Sequence, residues 1–248
     1  MQLRVLGSAG TYPTPGGPAS GYLVTAGSSQ LWCDAGPGTF TRLAAVTAPE
    51  ELDAVVVSHM HIDHCLDLFV LIHYLAYGPP GGGVAIDVYA PADAAERFEA
   101  FLRPGSGHPF YEVLRFREAT ASSPVVVGDI TVEFAEATHS IPAWLTRFEA
   151  AGRSLVYTGD TGPTPELERL AANADVLVAE ASLGPEDDPY PFHLTPAQAG
   201  AVAAAAGVGR LVLTHLRPTL DPAVAAARAE ATFGRAPTVA TPGMQLTI

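Results

Sequence analysis

The sequence has few cysteines, little positive charge and no long apolar run. Cys33 and Cys65 are its two cysteines, and they are far apart and form no CxxC spacing. This argues against a disulfide framework and favours a reducing compartment. No apolar stretch reaches the roughly 20 residues that a membrane-spanning helix needs, and the start of the chain lacks the charged segment and apolar run of a signal peptide. The sequence therefore predicts a cytoplasmic protein without a membrane partner.

Positive charge is scarce in this chain. The sequence contains 13 Lys and Arg residues and 26 Asp and Glu residues, which gives a formal net charge of −13 at pH 7. Proteins that grip a nucleic-acid backbone usually carry a basic face, because binding releases condensed counterions. Long RNA or DNA is therefore not the expected partner, whereas a small anion is compatible with this charge if metal ions supply local positive charge.

The periodicity of the sequence indicates its architecture. With 248 residues, 48% of them hydrophobic, the chain can form one large sandwich or two ordinary domains. No break in composition demands a division, so we expect a single domain over 1–248. Its two similar halves, approximately 1–124 and 125–248, each begin with strand-like runs and continue with alternating strands and helices. The pattern predicts an α+β fold in which two mixed sheets pack face to face with helices outside, an αββα sandwich.

Several elements can be placed along the chain. A buried strand is predicted at 54–58 and a helix that is apolar almost all round at 65–77. The segment 103–124 is the least regular part and the best candidate for a lid. Three helix starts have a capping residue before a proline, namely Thr164-Pro165, Thr195-Pro196 and Asp221-Pro222.

Potential metal ligands are most concentrated at 59–64, directly after the predicted strand 54–58. This hexapeptide contains His59, His61, Asp63 and His64. In extended backbone the first two histidines project to one side, and the other two residues lie beyond the bend where a helix starts, so each pair could serve one metal. Imidazole and carboxylate suit zinc and similar ions. A solvated His-rich loop is the alternative, but four potential ligands in six residues after a buried strand argue against it.

Further polar residues lie at or beside predicted strand ends. These are His139, Asp160, His193 and His215. Strand ends on one rim of a sheet converge, so we expect these side chains to approach the hexapeptide. Glycines on both sides of Asp160, at 159 and 162, allow sharp turns there. A carboxylate at such a position has two oxygens and can bridge two cations.

This combination resembles the metallo-β-lactamase superfamily, through HxHxDH at 59–64, a later His139, the Asp in 158–162 and a final His215. The resemblance implies the family's four-layer sandwich and two divalent ions, zinc before manganese. Asp34 resembles the buried structural aspartate beneath the metal loop, a supporting residue rather than a catalytic one. The implied ligands are His59, His61 and His139 for one metal, Asp63, His64 and His215 for the other, and Asp160 with a hydroxide as the bridge.

The branch of the family is indicated by Glu180-Ala181-Ser182 and His193-Leu194-Thr195. They resemble motifs of the ribonuclease Z-like phosphodiesterases, in which the Glu orients the His and the His serves the leaving group. Asp63, Glu180 and His193 are thus the implied catalytic residues. For His193 the alternative is a polar loop residue, and for Glu180 a buried partner of a backbone amide. Other branches of the family are marked by a cysteine ligand, by a glutamate in place of His61 or by a glyoxalase-type C-terminal half. The sequence shows none of these features.

Ribonuclease Z usually carries an RNA-gripping arm between its equivalents of His139 and Asp160. Here these residues are 21 apart, with only a predicted strand pair between them. The missing arm agrees with the acidic charge. The sequence is more similar to armless relatives, the atypical class II cyclic-nucleotide phosphodiesterases of actinobacteria and their Bacillus counterparts, with shared features at 18–23, 58–68, 157–162, 193–200 and 213–215.

The resemblance therefore implies a phosphodiesterase that acts on cyclic nucleotides or other small phosphodiesters, with His193 as general acid. Three rivals stay open: a ribonuclease Z-like nuclease acting on RNA 3′ ends, a lactonase or ester hydrolase that uses the same metals, and a non-enzymatic metal-dependent binding module. His73 is expected to be a packed or tip-exposed histidine, and His108 a loop residue that could touch substrate. The oligomeric state is open, a homodimer included.

Overall fold

The computed structural model describes residues 1–81, 83–103, 105, 110–184 and 190–248. Its first elements are β1 (Gln2–Gly7), β2 (Gly21–Ala26), β3 (Ser29–Ala35), α1 (Thr39–Ala44), β4 (Ala54–Val56), α2 (Ile62–Cys65), α3 (Leu68–Tyr77), β5 (Ile86–Ala90), α4 (Ala94–Leu102), α5 (Phe110–Val113) and β6 (Leu114–Glu118). A short 3₁₀ turn covers Pro49–Glu51.

The chain continues with β7 (Val125–Val127), β8 (Ile130–Glu136), β9 (Trp144–Ala150), β10 (Arg153–Tyr157), α6 (Pro165–Leu170), β11 (Val176–Glu180), α7 (Pro196–Ala205), β12 (Arg210–Thr214), α8 (Pro222–Phe233), β13 (Thr238–Val239) and β14 (Gln245–Thr247). Within the described residues, no helix is both long and apolar enough to cross a bilayer.

The strands form two seven-stranded mixed sheets. The first has the order β14-β1-β2-β3-β4-β5-β6 and the second the order β13-β12-β11-β10-β9-β8-β7. In each sheet an antiparallel part adjoins a parallel one: β1 to β3 are antiparallel and β3 to β6 parallel, while β7 to β10 are antiparallel and β10 to β13 parallel. The predicted pair of mixed sheets is confirmed.

Alternating side chains on each strand separate three apolar layers. On β3, Leu31 and Cys33 pack between the two sheets, whereas Trp32 packs under the helices on the outer face of the first sheet. A third layer lies between the second sheet and helices α6, α7 and α8. Burying one large apolar side chain stabilises the fold by about 1.5–3 kcal/mol. Each of the three apolar layers contains many such side chains, and together they hold the two sheets and the outer helices against one another.

The last strand crosses between the two halves of the sequence. β14 pairs with β1, with Gln2 opposite Thr247, although the strands before it belong to the second sheet. This pairing covers the backbone groups of β1 that would otherwise form an open sheet edge. The two sequence halves therefore correspond to the two sheets except at β14, which has only three residues and gives no periodic signal.

The helix predicted at 65–77 begins earlier than expected and is divided. α2 starts at Ile62, inside the metal-loop hexapeptide, and α3 starts at Leu68. Between them, Asp67 donates its backbone N–H to Ala35 O at 2.8 Å and accepts the Phe40 N–H at 2.8 Å. These bonds tie Asp67 to the end of β3 and to the start of α1. The helix is therefore interrupted at this polar residue, and a second helix begins directly after it.

The expectation of an irregular lid at 103–124 is wrong for 110–118. Here the structure has helix α5 and strand β6, which pairs in parallel with β5 at the edge of the first sheet. Alternation in Leu114-Arg115-Phe116-Arg117 was the available signal for this strand, and the nearby glycines and proline obscured it. Residues 104 and 106–109, with His108, lie outside the described residues.

Candidate metal centre

The predicted site residues lie at strand ends on one edge of the sandwich. In the second sheet, β10, β11 and β12 are parallel neighbours, and β8 runs in the same direction, so their carboxyl ends meet. The hexapeptide 59–64 follows β4 of the first sheet. An isolated bridge between His59 and Ala143 and a bond from Trp144 N to Ser58 O at 2.9 Å tie this loop to the second sheet. The other residues are placed as follows: His139 after β8, Asp160 after β10, Glu180 at the end of β11 and His215 directly after β12.

Three imidazoles and a carboxylate form a first cluster. His61 Nδ1 lies 3.0 Å from His59 Nε2 and 3.1 Å from His139 Nε2. Asp160 Oδ2 lies 3.7 Å from His59 Nε2. Residues from three separate parts of the chain thus present nitrogen and oxygen atoms to one point, all within 4.8 Å of one another.

A second cluster lies beside the first and shares Asp160. His215 Nε2 lies 3.2 Å from His64 Nε2 and 3.1 Å from Asp63 Oδ2. Asp160 Oδ1 lies 3.3 Å from His64 Nε2. The Asp160 carboxylate therefore directs one oxygen to each cluster, the arrangement that a bridging ligand needs.

The spacing of the donor atoms fits divalent cations. Two nitrogens bound to one tetrahedral zinc ion lie about 3.3 Å apart, because Zn–N bonds measure about 2.0–2.1 Å. The nitrogen of His61 lies 3.0 Å from that of His59 and 3.1 Å from that of His139, and the nitrogens of His64 and His215 are 3.2 Å apart. These separations are close to the value for two nitrogens that share one zinc ion.

A buried atom shared by the clusters also fits a cation. Asp160 Oδ1 is buried and has no hydrogen-bond partner among the described residues. Buried polar atoms are normally hydrogen-bonded, and leaving one without a partner costs free energy. The donor set of imidazoles and carboxylates is the one that zinc and similar ions prefer, so these residues fit a pair of divalent ions.

Electrostatics distinguishes the two clusters. Burial lowers the pKa of His59, His61 and His139, which favours the neutral imidazole that binds metals. For His64, burial acts to lower the pKa, but the Asp160 and Asp34 carboxylates outweigh it and hold the pKa well above its usual value. The second cluster therefore attracts positive charge, and a divalent ion can take the place of that proton.

Asp34 supports the second cluster from behind. Its carboxylate is fully buried and lies 2.7 Å from His64 Nδ1. It also accepts the Tyr157 hydroxyl at 2.7 Å, and the Ser58 N–H and hydroxyl at 2.7 and 2.8 Å. Both oxygens are thus engaged away from the clusters, and the bond to Nδ1 directs His64 Nε2 towards the ligand position. These contacts fit the supporting role that the resemblance implies.

Two non-glycine residues of the site have left-handed backbone. Asp34 has φ 55° and His215 has φ 54°. Such a conformation costs about 1–2 kcal/mol for an L-residue. Surrounding hydrogen bonds hold both residues there, as is common at sites whose side chains must point in one direction.

Glu180 and His193 form a hydrogen-bonded pair next to the shared carboxylate. Glu180 Oε1 lies 2.8 Å from His193 Nδ1, and Asp160 Oδ2 lies 3.9 Å from the same nitrogen. Glu180 is 0% exposed, and its carboxylate also accepts the Thr161 N–H at 2.9 Å and the Ser182 hydroxyl at 2.6 Å. Glu180 cannot reach a substrate and orients His193 instead.

The surroundings of the His193 ring favour its protonated form. Burial acts to lower its pKa, but the hydrogen bond and charge of Glu180 outweigh burial and raise the pKa. The Nδ1 proton goes to Glu180, which leaves Nε2 to carry the second proton of the imidazolium. The ring also stacks with that of His215, with centroids 6.0 Å apart, so His193 lies beside the second cluster.

Other residues differ in their relation to the site. His73 lies outside it, on α3, where its Nδ1 lies 2.9 Å from Phe69 O, as expected of a packed or tip-exposed histidine.

The predictions did not include Ser58 and Tyr157 among the groups that hold Asp34. Ser58 directly precedes the hexapeptide, which was a usable signal. Tyr157 contacts Asp34 from 123 positions away, and no local pattern shows such a contact. The backbone of Phe192 also takes part, because its carbonyl lies 3.0 Å from His139 Nδ1.

The two mixed sheets and the two His and Asp clusters at one edge define a metallo-hydrolase of the β-lactamase fold. Comparison with protein families agrees, since the pattern described as "Beta-lactamase superfamily domain" matches residues 30–216. The chain belongs to this superfamily, and the resemblance that the motifs indicated is confirmed.

Individual relatives match along most of the chain. The uncharacterized protein Rv1339 of Mycobacterium tuberculosis is 35% identical over 224 residues, which cover 88% of this chain and 81% of the relative. Ribonuclease Z of Mycobacterium bovis is 30% identical over 247 residues, covering 90% of this chain and 88% of the relative. The crystal structure of the metallo-β-lactamase fold protein YhfI from Bacillus subtilis superposes with a TM-score of 0.89 at 25% identity, covering 99% of this chain and 98% of the other.

Proposed function

We propose that this protein is a phosphodiesterase that uses two divalent metal ions to hydrolyse cyclic nucleotides or other small phosphodiesters. The observation that carries the proposal is the Glu180–His193 pair, 2.8 Å apart and adjacent to Asp160. Hydrolysis of an alkyl phosphodiester expels a poor leaving group that needs a proton, whereas a lactonase does not need this pair. The similarity to a ribonuclease, an enzyme that cleaves phosphodiester bonds, supports the same chemistry.

The ligand residues divide between the two ions. His59, His61 and His139 would hold one, Asp63, His64 and His215 the other, and Asp160 both. Bound there, the ions would lower the pKa of a water molecule and neutralise charge on the phosphoryl oxygens. Zinc suits this donor set first and manganese second. Asp63 is catalytic in this scheme through its place in the second cluster.

His193 supplies the proton that the leaving oxygen requires. Glu180 holds Nδ1, so the proton at Nε2 is the one available for transfer. The hydrogen bond and charge of Glu180 raise the pKa of His193, which favours the imidazolium form. General acid catalysis of this kind typically contributes about 10² to 10⁴ in rate. With a 3′,5′-cyclic nucleotide, water adds to phosphorus, the P–O3′ bond breaks, O3′ receives the proton and the product is the 5′-monophosphate.

Small substrates are favoured over long RNA. The segment between His139 and Asp160 consists of the β9–β10 hairpin, with two residues between the strands. It provides no extension that could grip an RNA. The net charge of −13 would also repel a long polyanion.

The first prediction tests His193. Replacing it in His193→Ala is expected to lower kcat for cyclic AMP by about 10² to 10⁴, the range of general acid catalysis, while elemental analysis still finds the metal content of the unmodified protein. With bis-p-nitrophenyl phosphate, whose leaving group needs no proton, the loss should be smaller. His73→Ala, on the exposed side of α3, is the matched control.

The same assay separates the rival functions when cyclic AMP, cyclic GMP, a short RNA and a lactone are compared. Lactone hydrolysis that survives His193→Ala, without phosphodiesterase activity, would identify a carbonyl hydrolase instead. RNA as the best substrate would identify a nuclease. Loss of metal in His193→Ala would make His193 a ligand and contradict its role as the acid.

A further inference from the structure

A cavity with a volume of about 300 Å³ adjoins the metal centre on the side of His193. The ring of His193 forms part of its wall, so a leaving group protonated by this histidine can occupy the cavity. The volume is at the lower end of the range for small-molecule sites. The residues that line it are Thr11, Ser182, Leu183, Tyr190, His193 and Arg217.

Arg217 is the one arginine among the residues that line this cavity, in a chain that contains no lysine at all. Its Nε donates to Ser182 O at 2.7 Å, and the Ser182 hydroxyl donates to Glu180 Oε2 at 2.6 Å. The guanidinium is thus fixed to the same short segment that holds Glu180. Because Glu180 also bonds to His193, this series of hydrogen bonds fixes the position of Arg217 relative to His193.

The charge of Arg217 is not neutralised by a carboxylate within the described part of the chain. Other arginines contrast with it: Arg97 lies 2.6 Å from Asp93 and Arg153 lies 2.9 Å from Asp175. The bond to Ser182 uses only Nε, and among the described residues no hydrogen bond engages the two terminal nitrogens of Arg217. A planar guanidinium with free terminal donors matches the oxygens of a phosphate or carboxylate.

An aromatic side chain completes the wall of the cavity. The ring of Tyr190 stacks with that of His193 at an angle of 21° and a centroid distance of 5.5 Å. Tyr190 is 46% exposed, so part of its surface is open to a ligand. Exposed aromatic faces bind nucleobases by stacking, and the cavity thus combines a surface for a base with a cation for an anion.

We propose that the cavity is the subsite for the leaving group and that Arg217 binds an anionic group on the leaving alcohol. The preferred substrate is then a small linear phosphodiester with a second anion, such as a dinucleotide that carries a 5′-phosphate. This inference rests on the proposed phosphodiesterase function. Water adds to phosphorus, the P–O3′ bond breaks, the His193 proton goes to O3′, and two nucleoside 5′-monophosphates form.

The test compares two substrates that differ only in the second anion, the dinucleotides pApA and ApA. The protein with its metals should favour pApA in kcat/KM by about 10- to 100-fold, the usual effect of hydrogen bonds to a charged group. Arg217→Gln should bring this ratio close to one, mainly through KM. Arg217→Lys keeps the charge without the planar fork and should give an intermediate ratio, which keeps the test decisive if Arg217→Gln does not fold.

Arg210→Gln is the matched control. Arg210 lies at the opposite end of β12 from His215 and is likewise held by a backbone carbonyl, Thr247 O at 2.6 Å. It should keep the ratio of the unmodified protein. Equal hydrolysis of pApA and ApA by the unmodified protein, or a preference that survives in both Arg217 variants, overturns the inference. Turnover of bis-p-nitrophenyl phosphate under the same conditions leaves the phosphodiesterase function standing in that case, and its absence with all the diesters contradicts that function itself.

Discussion

Asp34 shows how much of a metal site can lie behind its ligands. Its carboxylate is fully buried and is surrounded by four donor groups, from His64, Tyr157 and the backbone and side chain of Ser58. The charge is therefore stabilised by the protein and is not free to bind an ion. What it provides is the direction of one imidazole, because His64 can present Nε2 to the second cluster only while Nδ1 bonds to Asp34.

Asp34→Asn should consequently weaken one of the two metal sites. The amide cannot accept all four donors, so His64 loses its fixed orientation, and outer-shell changes of this kind typically reduce metal affinity by about 10- to 100-fold. Titration against a chromophoric chelator should show one weakened ion and one unchanged ion. Tyr157→Phe, which keeps the ring that packs at 4.9 Å against Tyr22, should give a smaller effect in the same direction.

Asp53→Asn serves as the control for this prediction. Asp53 accepts the Gln30 N–H at 2.8 Å, at the opposite end of β3 from Asp34. Its replacement should leave both affinities unchanged. Equal weakening of both ions by Asp34→Asn, or no weakening at all, would show that Asp34 does not act on the second cluster.

Among the elements, α7 begins at Pro196, three residues after His193, and fixes where the loop that carries His193 ends. The Thr195 hydroxyl accepts the Gln198 N–H at 3.2 Å, and Gln198 Oε1 accepts the Thr195 N–H at 2.8 Å. This is a capping box, with Pro196 in the first turn. Because the cap is close in sequence to His193, the start of α7 helps to position this histidine.

Thr195→Ala should lower the free energy of unfolding by about 1 kcal/mol, the usual cost of losing an N-cap side chain. Denaturation with urea, followed by circular dichroism, measures the change. Thr195→Ser keeps the hydroxyl and should restore most of the stability. A Thr195→Ala protein as stable as the unmodified one would mean that the helix start is held by packing alone.

The helix starts were predictable from sequence, whereas the smallest strands were not. Thr164, Thr195 and Asp221 each accept a backbone N–H as N-cap before a proline, as predicted. Caps act within a few residues, so a local pattern shows them. β13 and β14 have two and three residues and exist only because a neighbouring strand offers its edge. The sequence around these two strands has no alternation of apolar and polar residues that would predict them.

At the scale of the molecule, the metal centre joins the two sheets. The candidate ligands of 59–64 follow a strand of the first sheet, whereas His139, Asp160 and His215 follow strands of the second. The HxHxDH spacing could be recognised from sequence, and the later residues could be placed near it because they end strands. The hydrogen-bond network beneath them could not, since it depends on how the two sheets face each other.

Removal of the metals should therefore loosen the whole fold. A ligand present at 100 times its dissociation constant stabilises the native state by about 2.7 kcal/mol, and for a chain of this size each kcal/mol shifts the unfolding midpoint by about 2–4 °C. A chelator should thus lower the midpoint measured by calorimetry by about 5–10 °C. The same chelator saturated beforehand with zinc is the control, and an unchanged midpoint after complete metal removal would contradict a role of the ions in joining the sheets.

In the proposed two-ion centre, the shared carboxylate of Asp160 makes the two metal positions a single thermodynamic system. Since one oxygen faces each cluster, an ion in the first position changes the charge and orientation that the second position offers. Linkage requires that the effect be reciprocal, so each ion alters the affinity for the other by the same factor. The half-loaded protein is then a state with its own affinity rather than an average of two independent sites, and its population sets how activity depends on metal concentration.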